Sequence, residues 1–391
     1  MNNTFKGDRV IWGLVVLFMF YSLLAVYSSS SGVAFREHDN DTAYFLRSQF
    51  VMLSICILII VVVHRLPYRI YFSLAGLFLI VAVLLLILTF AFGARINEAT
   101  RFLPIPGTNF NVQTSDLAKV ALVIYLARSL ALYQSELTNF KYVTKYFMLP
   151  VALVCGLIMP ENLSTAVMVF VISLVIMFIG RIPFKFLLSY VGMAAAGILI
   201  FAMILAAFTE SNRVEVWKNR IERYVSSEAD NQDADFQINQ AKIAISTGGL
   251  FGKAPGKSSQ RNLLPHSNSD FIFAIIIEEY GLIFGAIPLI FAYMILLFRG
   301  IVIARKCETA FPAYLVMGLI IMILIQAMIN MLVAVGIIPV TGQTLPMVSW
   351  GRTSVLVMSI SIGAILGVSR VLNAKANQEE LQDEEKIVVN G

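Results

Sequence analysis

Residues 270–298 read Asp270-Phe271-Ile272-Phe273-Ala274-Ile275-Ile276-Ile277-Glu278-Glu279-Tyr280-Gly281, followed by LIFGAIPLIFAYMILLF. From Phe271 onward this is a nearly continuous apolar run, and its only acids sit near its start. About 20 apolar residues, rising 1.5 Å each, cross the hydrocarbon of a bilayer. Similar runs lie near 10–30, 48–64, 70–92, 115–133, 144–159, 163–180, 184–208, 311–337 and 353–372. The composition agrees. Of 391 residues, 58% are hydrophobic and 14% charged, whereas soluble domains carry about 25% charged residues. The chain therefore reads as an all-α, polytopic membrane protein of about ten transmembrane helices, with one membrane domain over 1–372.

The net charge of +5 is accounted for by topology bias and calls for no nucleic-acid partner. Cys56, Cys155 and Cys307 fall in or beside apolar runs, form no CxxC pair and read as small buried residues. Lys6 and Arg9 precede a first run too long for a signal peptide, so that run reads as the first membrane helix. His38, His64 and His266 are scattered, and no P-loop, GxGxxG or Ser-His-Asp pattern occurs. Nucleotide-driven transport by this chain alone is not expected on that ground.

Lys and Arg in short loops set the orientation. With the N-terminus cytoplasmic, the inner segments hold Lys6, Arg9, Arg65, Arg69, Arg128, Lys141, Lys145, Arg181, Lys185, Arg299, Arg305, Lys306, Arg370, Lys375 and Lys386. The short outer segments hold only Arg36, Arg47, Arg95, Arg101, Lys119 and Arg352. Both termini are then cytoplasmic. Two outer segments are unusual: 93–114, and a long loop of about 209–270 between the seventh and eighth helices, expected to pack on the membrane surface over a cavity. The tail 373–391, with Glu379, Glu380, Asp383, Glu384 and Glu385, reads as disordered and cytoplasmic.

Ionisable residues inside membrane helices are costly and each needs an account. Asp116 and Lys119 share a helix face at i, i+3, either as an interface salt bridge or as the polar wall of a cavity. Asp270 suits a helix N-cap and equally a general base at a cavity lip. Glu278 and Glu279 lie roughly 12 Å into their helix and must find buried partners, structural or proton- or metal-binding. Between Asn330 and Ser354 the sequence NMLVAVGIIPVTGQTLPMVSWGRTS is broken backbone, tolerated at a membrane surface only under cover of protein or beside a water-filled cavity. There Arg352, beside Thr353 and Ser354, presents a fork of donors suited to a phosphate.

Three stretches, in order, resemble the SEDS family (shape, elongation, division and sporulation). The first is Gly249-Leu250-Phe251-Gly252-Lys253, then Leu264-Pro265, Asp270-Phe271-Ile272-Phe273-Ala274 and Glu278-Glu279-Tyr280-Gly281. The second is Asn330 through Ser354, and the third is Gln113-Thr114-Ser115-Asp116-Leu117-Ala118-Lys119. The pattern departs from the family at several positions. Arg101 is followed by Phe102 rather than Trp, Thr114 replaces Pro, Asp116 replaces Glu, Ala254 replaces Gly, Asn268-Ser269 replaces His-Thr, and Arg352 replaces Gly. Glu161-Asn162-Leu163-Ser164-Thr165 follows the family's Pro-Asp-x-Gly-Thr only loosely.

The resemblance implies a SEDS fold and a peptidoglycan glycosyltransferase that polymerises lipid II at the outer face of the cytoplasmic membrane. It favours the FtsW-like division branch over the RodA-like elongation branch. It implies Asp270 as the catalytic carboxylate, and Arg101, Lys119, Asp116, Arg352, Gln260 and Ser354 around the substrate pyrophosphate. Glu278 and Glu279 would be structural or cavity carboxylates. A divalent cation, Mg or Mn, could assist, although no ligand set is evident. The implied partners are a class B penicillin-binding transpeptidase and other divisome or elongasome proteins. The alternatives are a lipid II flippase and a non-catalytic division scaffold.

Overall fold

A computed structural model of the chain describes residues 6–29, 42–96, 99–104, 111–208, 232–264 and 268–390. Its helices are α1 (Arg9–Ser29), α2 (Thr42–Val63), α3 (Tyr68–Phe92), α4 (Thr114–Leu132), α5 (Phe140–Ile158), α6 (Leu163–Ile179) and α7 (Phe184–Phe208). They continue with α8 (Gln232–Gly248), α9 (Ile272–Arg305), α10 (Ala310–Ala334) and α11 (Arg352–Asn390). Among the described residues, seven helices are long and apolar enough to cross a membrane: α1, α2, α3, α5, α9, α10 and the first part of α11. The other runs read as spans form α4, α6 and α7. α4 carries Asp116, Lys119 and Arg128 within its 19 residues.

These helices are apolar on every face, the pattern of a membrane segment rather than a soluble amphipathic helix. Phe20, Leu77, Ile80, Leu188, Phe291 and Phe298 stay exposed on the outside of the bundle, where lipid would cover them. The protein-facing core centres on α4, which packs against α3, α6 and α10 and is buried along most of its length.

Two spans are broken rather than straight. α5 carries a π-helical turn at Thr144–Met148 just before Pro150, and α9 carries one at Leu282–Ala286 just before Pro288. A proline ring cannot accept the regular ladder, and the wider turn absorbs the mismatch. The sequence reading treats 271–298 as one uninterrupted run, so the break at Gly281 is a refinement.

Three further features differ from the sequence reading. Between α3 and α4 the chain forms a three-stranded antiparallel sheet, β1 (Ala94–Ile96), β2 (Ala99–Pro104) and β3 (Asn111–Gln113), with Phe102 opposite Gln113. The long loop contributes helix α8, whose Ala241 and Ala244 are fully buried and which lies against the start of α9; residues 209–231 fall outside the described residues. The polar tail continues α11 as helix to Asn390. Its Ala, Glu, Gln, Leu and Lys are good helix formers, so a charged sequence without a core can still extend a helix already nucleated in the bundle.

The helices alternate in direction, so the starts of α4, α6, α9 and α11 gather at one end of the bundle with the sheet, α8 and the loop between α10 and α11. The start of α1, the end of α9 and the middle of α11 near Asn373 meet at the opposite end, where the Arg299 guanidinium forks onto Asp8.

Candidate functional site

Three groups of side chains occupy the end of the bundle where α4, α9 and α11 begin. The first is built on α4. The Lys119 ammonium lies 2.7 Å from Asp116 and donates to Gln326 Oε1 on α10 at 2.8 Å. Lys119 is 1% exposed and Asp116 2%. Gln326 then donates to the Thr344 carbonyl at 3.1 Å and reaches the Ser354 hydroxyl at 3.4 Å, and Thr344 donates to Ser354 at 2.9 Å. One buried cation thereby ties α4 to α10, to the α10–α11 loop and to α11. The salt-bridge reading of Asp116 and Lys119 holds, and Ser354 joins their network. Gln326 is absent from the sequence reading. Its signal was a polar residue inside the apolar run of α10, four positions before Asn330 and so on the same face.

The second group surrounds Asp270. The helix begins at Ile272 with Phe271 at the cap position, one residue later than the sequence reading has it, and Asp270 is partly buried just before it. The backbone on either side is pinned from the opposite loop. Asn330 Nδ2 donates to the Asp270 carbonyl at 2.9 Å and to the Gln343 carbonyl at 2.7 Å. Ser349 donates to the Ser269 carbonyl at 2.7 Å, and the Trp350 N–H donates to the Asn268 carbonyl at 2.8 Å. Gln343 donates in turn to Thr165 on α6 at 2.7 Å. The loop itself folds back into the bundle, with Leu345, Met347 and Val348 no more than 1% exposed and the Pro346 carbonyl held by Tyr293 at 2.6 Å. This is irregular backbone buried within the bundle and satisfied by protein, the form in which a membrane-spanning bundle tolerates it. Asp270 therefore stands on a rigid mount made from two segments far apart in sequence.

The third group belongs to Glu278 and Glu279, which are fully buried. Glu278 accepts from Lys253 at 2.7 Å, from the Ser259 N–H at 3.1 Å and hydroxyl at 2.9 Å, and from the Ser258 hydroxyl. Glu279 accepts from the Ser28 hydroxyl on α1 and from the Ser258 N–H at 3.3 Å. These are structural roles: the two carboxylates clamp residues 253–260 onto α9. Gln260, expected near the pyrophosphate, lies beside this clamp. Its N–H approaches Glu278 at 3.4 Å, and its side-chain oxygen is buried without a partner among the described residues.

The clamp works because the GLFG turn lies directly on the break in α9. The Lys253 and Ala254 N–H groups donate to the carbonyls of Glu278 and Glu279 at 2.9 and 3.0 Å, while those of Leu282 and Ile283 donate to Gly249 and Leu250 at 3.0 and 3.1 Å. Gly281 has φ of 72°, and a Cβ there would meet the Leu250 carbonyl oxygen at 2.3 Å. Gly281→Ala combines the strain of a backbone conformation open essentially only to glycine (ψ is −173°), about 1–3 kcal/mol, with that backbone collision. It is expected to lower the melting temperature and to open 249–264 to limited proteolysis. Unchanged protease resistance would mean that the clasp is not needed to hold this loop.

Of the remaining expected residues, Arg101 lies in β2, next to Phe102, whose partner Gln113 immediately precedes α4. Arg352 is the first residue of α11. The side chains of both lie outside the described residues. Thr353 accepts from the Gln113 N–H at 3.4 Å and donates to the Asn111 carbonyl at 3.0 Å, so the sheet is fastened to the start of α11. A cleft beside it is lined by Thr89, Thr114, Ser115, Glu161 and Asn162. Among the described residues no three His, Cys, Asp or Glu side chains gather into a metal site.

Comparison with known proteins agrees with this arrangement. The family model described as "Cell cycle protein", named for FtsW, RodA and SpoVE, matches residues 8–374. The probable peptidoglycan glycosyltransferase FtsW of Trichlorobacter lovleyi is 29% identical over 366 residues, covering 93% of both chains. Stage V sporulation protein E of Bacillus subtilis is 31% identical over 369 residues, covering 93% of this chain and 97% of its own. A solved structure describing how a peptidoglycan synthase complex coordinates polymerization and crosslinking superposes with a TM-score of 0.72 at 23% identity, over 93% of this chain and 98% of that one. That likeness speaks for the fold.

Proposed function

The chain belongs to the family of membrane cell cycle proteins named for FtsW, RodA and SpoVE, and from that membership we propose how its Asp270 end works. The protein is a multi-pass membrane peptidoglycan glycosyltransferase, FtsW-like, serving division or elongation. Its substrate is lipid II, a disaccharide-pentapeptide on undecaprenyl pyrophosphate. The Asp270 end faces outward, both termini are cytoplasmic, and the lipid tail enters sideways from the outer leaflet.

The observation that carries the assignment is the rigid mount of Asp270, whose neighbouring carbonyls are fixed by Asn330 and Ser349. The carboxylate takes the proton of the acceptor's GlcNAc 4-hydroxyl as that oxygen bonds to the donor's anomeric carbon. The bond from that carbon to the pyrophosphate breaks, and undecaprenyl pyrophosphate leaves with the electron pair. Negative charge grows on the leaving group, so fixed positive charge nearby lowers the barrier. Arg101 in the sheet and Arg352 at the start of α11 are the candidates for that charge. Lys119 is sealed in the wall and acts as a positioning residue: of its three ammonium donors, Asp116 and Gln326 take two. The described residues do not fit a protein-only metal site, so a Mg or Mn ion would draw its ligands largely from the pyrophosphate, and no step here depends on one.

A class B penicillin-binding transpeptidase is the partner this reading requires. Purified protein is expected to lengthen glycan strands from lipid II when that transpeptidase is added, with crosslinking blocked by a β-lactam. No strands with or without the partner would sink the reading.

A further inference from the structure

A cavity lies at the opposite end of the bundle from Asp270. It has a volume of about 370 Å³, between the start of α1, the end of α9 and the stretch of α11 around Ser369 and Asn373. Three cations line it, Arg9, Arg299 and Lys306, against one carboxylate, Asp8. Asp8 is 5% exposed, caps α1 by accepting from the Val10 and Ile11 N–H groups at 2.9 and 3.2 Å, and holds the Arg299 guanidinium from one side. Arg299 is thus pre-positioned, with a remaining edge for another acceptor. Ser369, 3% exposed, adds a hydroxyl to the wall. The lining carries a net surplus of two positive charges, and the polymerisation chemistry at the far end uses none of these residues.

We propose that this cavity binds the phosphate headgroup of an anionic phospholipid. The cations supply the phosphate site; basic pockets between helices at a membrane boundary recognise such headgroups. A lipid rather than free phosphate follows from what adjoins the cavity. Its wall includes Val302. Phe298, Ile295 and Phe291 precede Val302 at spacings of four, three and four along α9, which place all four on one helical face. Those three residues are 63%, 40% and 60% exposed. An acyl chain lying along that stripe would leave its glycerophosphate beside Arg299 and Lys306. The site would stabilise the junction of α1, α9 and α11, which is otherwise closed by the Asp8–Arg299 pair and an Asn373 hydrogen bond to the Gly7 carbonyl at 3.3 Å.

The test is native mass spectrometry of the detergent-purified protein titrated with phosphatidylglycerol or with phosphatidylcholine. Wild type, the Arg9→Gln/Lys306→Gln variant and a control Lys141→Gln/Lys145→Gln variant are compared. The control removes two exposed cations from α5 that do not line the cavity. Wild type and control are expected to retain phosphatidylglycerol over phosphatidylcholine, and the cavity variant to lose roughly tenfold in retention. Equal losses in both variants would reduce the effect to diffuse surface attraction and overturn the proposal. So would an unaltered cavity variant, or displacement of the lipid by millimolar inorganic phosphate, which would make free phosphate the ligand. Circular dichroism of each variant without added lipid controls for folding, and since the cavity variant leaves Asp8 and Arg299 intact, its helix content is expected to match wild type.

Discussion

Asp270→Asn is expected to stop glycan polymerisation while leaving the bundle folded. The substitution keeps size and shape, and the bonds from Asn330 and Ser349 go to the carbonyls of Asp270 and Ser269, which it leaves in place. What it removes is the base. A positioned general base contributes roughly 10²- to 10⁴-fold, so the rate of strand growth from lipid II should fall by at least about 10²-fold, with little change in melting temperature. The check is a time course of strand length on a gel, beside a thermal melt of each form. A variant as fast as wild type would remove Asp270 from the chemistry.

Lys119→Met is expected to be the most destabilising single substitution at this end. It leaves the Asp116 carboxylate, 3% exposed at its side chain, without its cation. Breaking a buried ion pair from one side costs about 3–5 kcal/mol. It also orphans Gln326 Oε1, and with it the ties from α10 to Thr344 and Ser354. The informative construction is the double variant Asp116→Asn/Lys119→Met, which removes both charges together. Its stability should return most of the way toward wild type, because no uncompensated charge remains. Its kcat should stay depressed, because Gln326 Oε1 still lacks its donor and the ties from Gln326 to Thr344 and Ser354 are no longer held in place. Stability and kcat recovering together would reduce Lys119 to a structural residue. Thermal unfolding and single-turnover polymerisation separate the two.

Much of the fold was legible because the bilayer restricts the choices: a run of about 20 apolar residues has few fates. The spans and the Asp116–Lys119 pair follow from local spacing alone. What escaped the reading is mostly long-range. Glu278 and Glu279 announced a need for partners, but Ser28 and Lys253 reach them from elsewhere in the chain, and no local period points to either. Gln260, which the resemblance implies near the pyrophosphate, has its backbone brought to Glu278 by the fold, a contact that no local spacing shows. The sheet at 94–113 is too short to show alternation. The helical tail was hidden because charge and low hydrophobicity signal disorder when a segment is read apart from the helix that seeds it. Gln326 was visible as a polar residue among apolar neighbours, and only its role as a junction needed three dimensions.

The central claim, that the Asp270 end polymerises lipid II from the outer leaflet rather than moving it across the bilayer, is tested most directly in sided proteoliposomes. The protein and its transpeptidase partner would be reconstituted with labelled lipid II confined to the leaflet at the Asp270 end. The account predicts glycan strands growing on that side, with passage of lipid II to the other leaflet no faster than in protein-free vesicles. Rapid passage without strands would contradict it and make the protein a transporter.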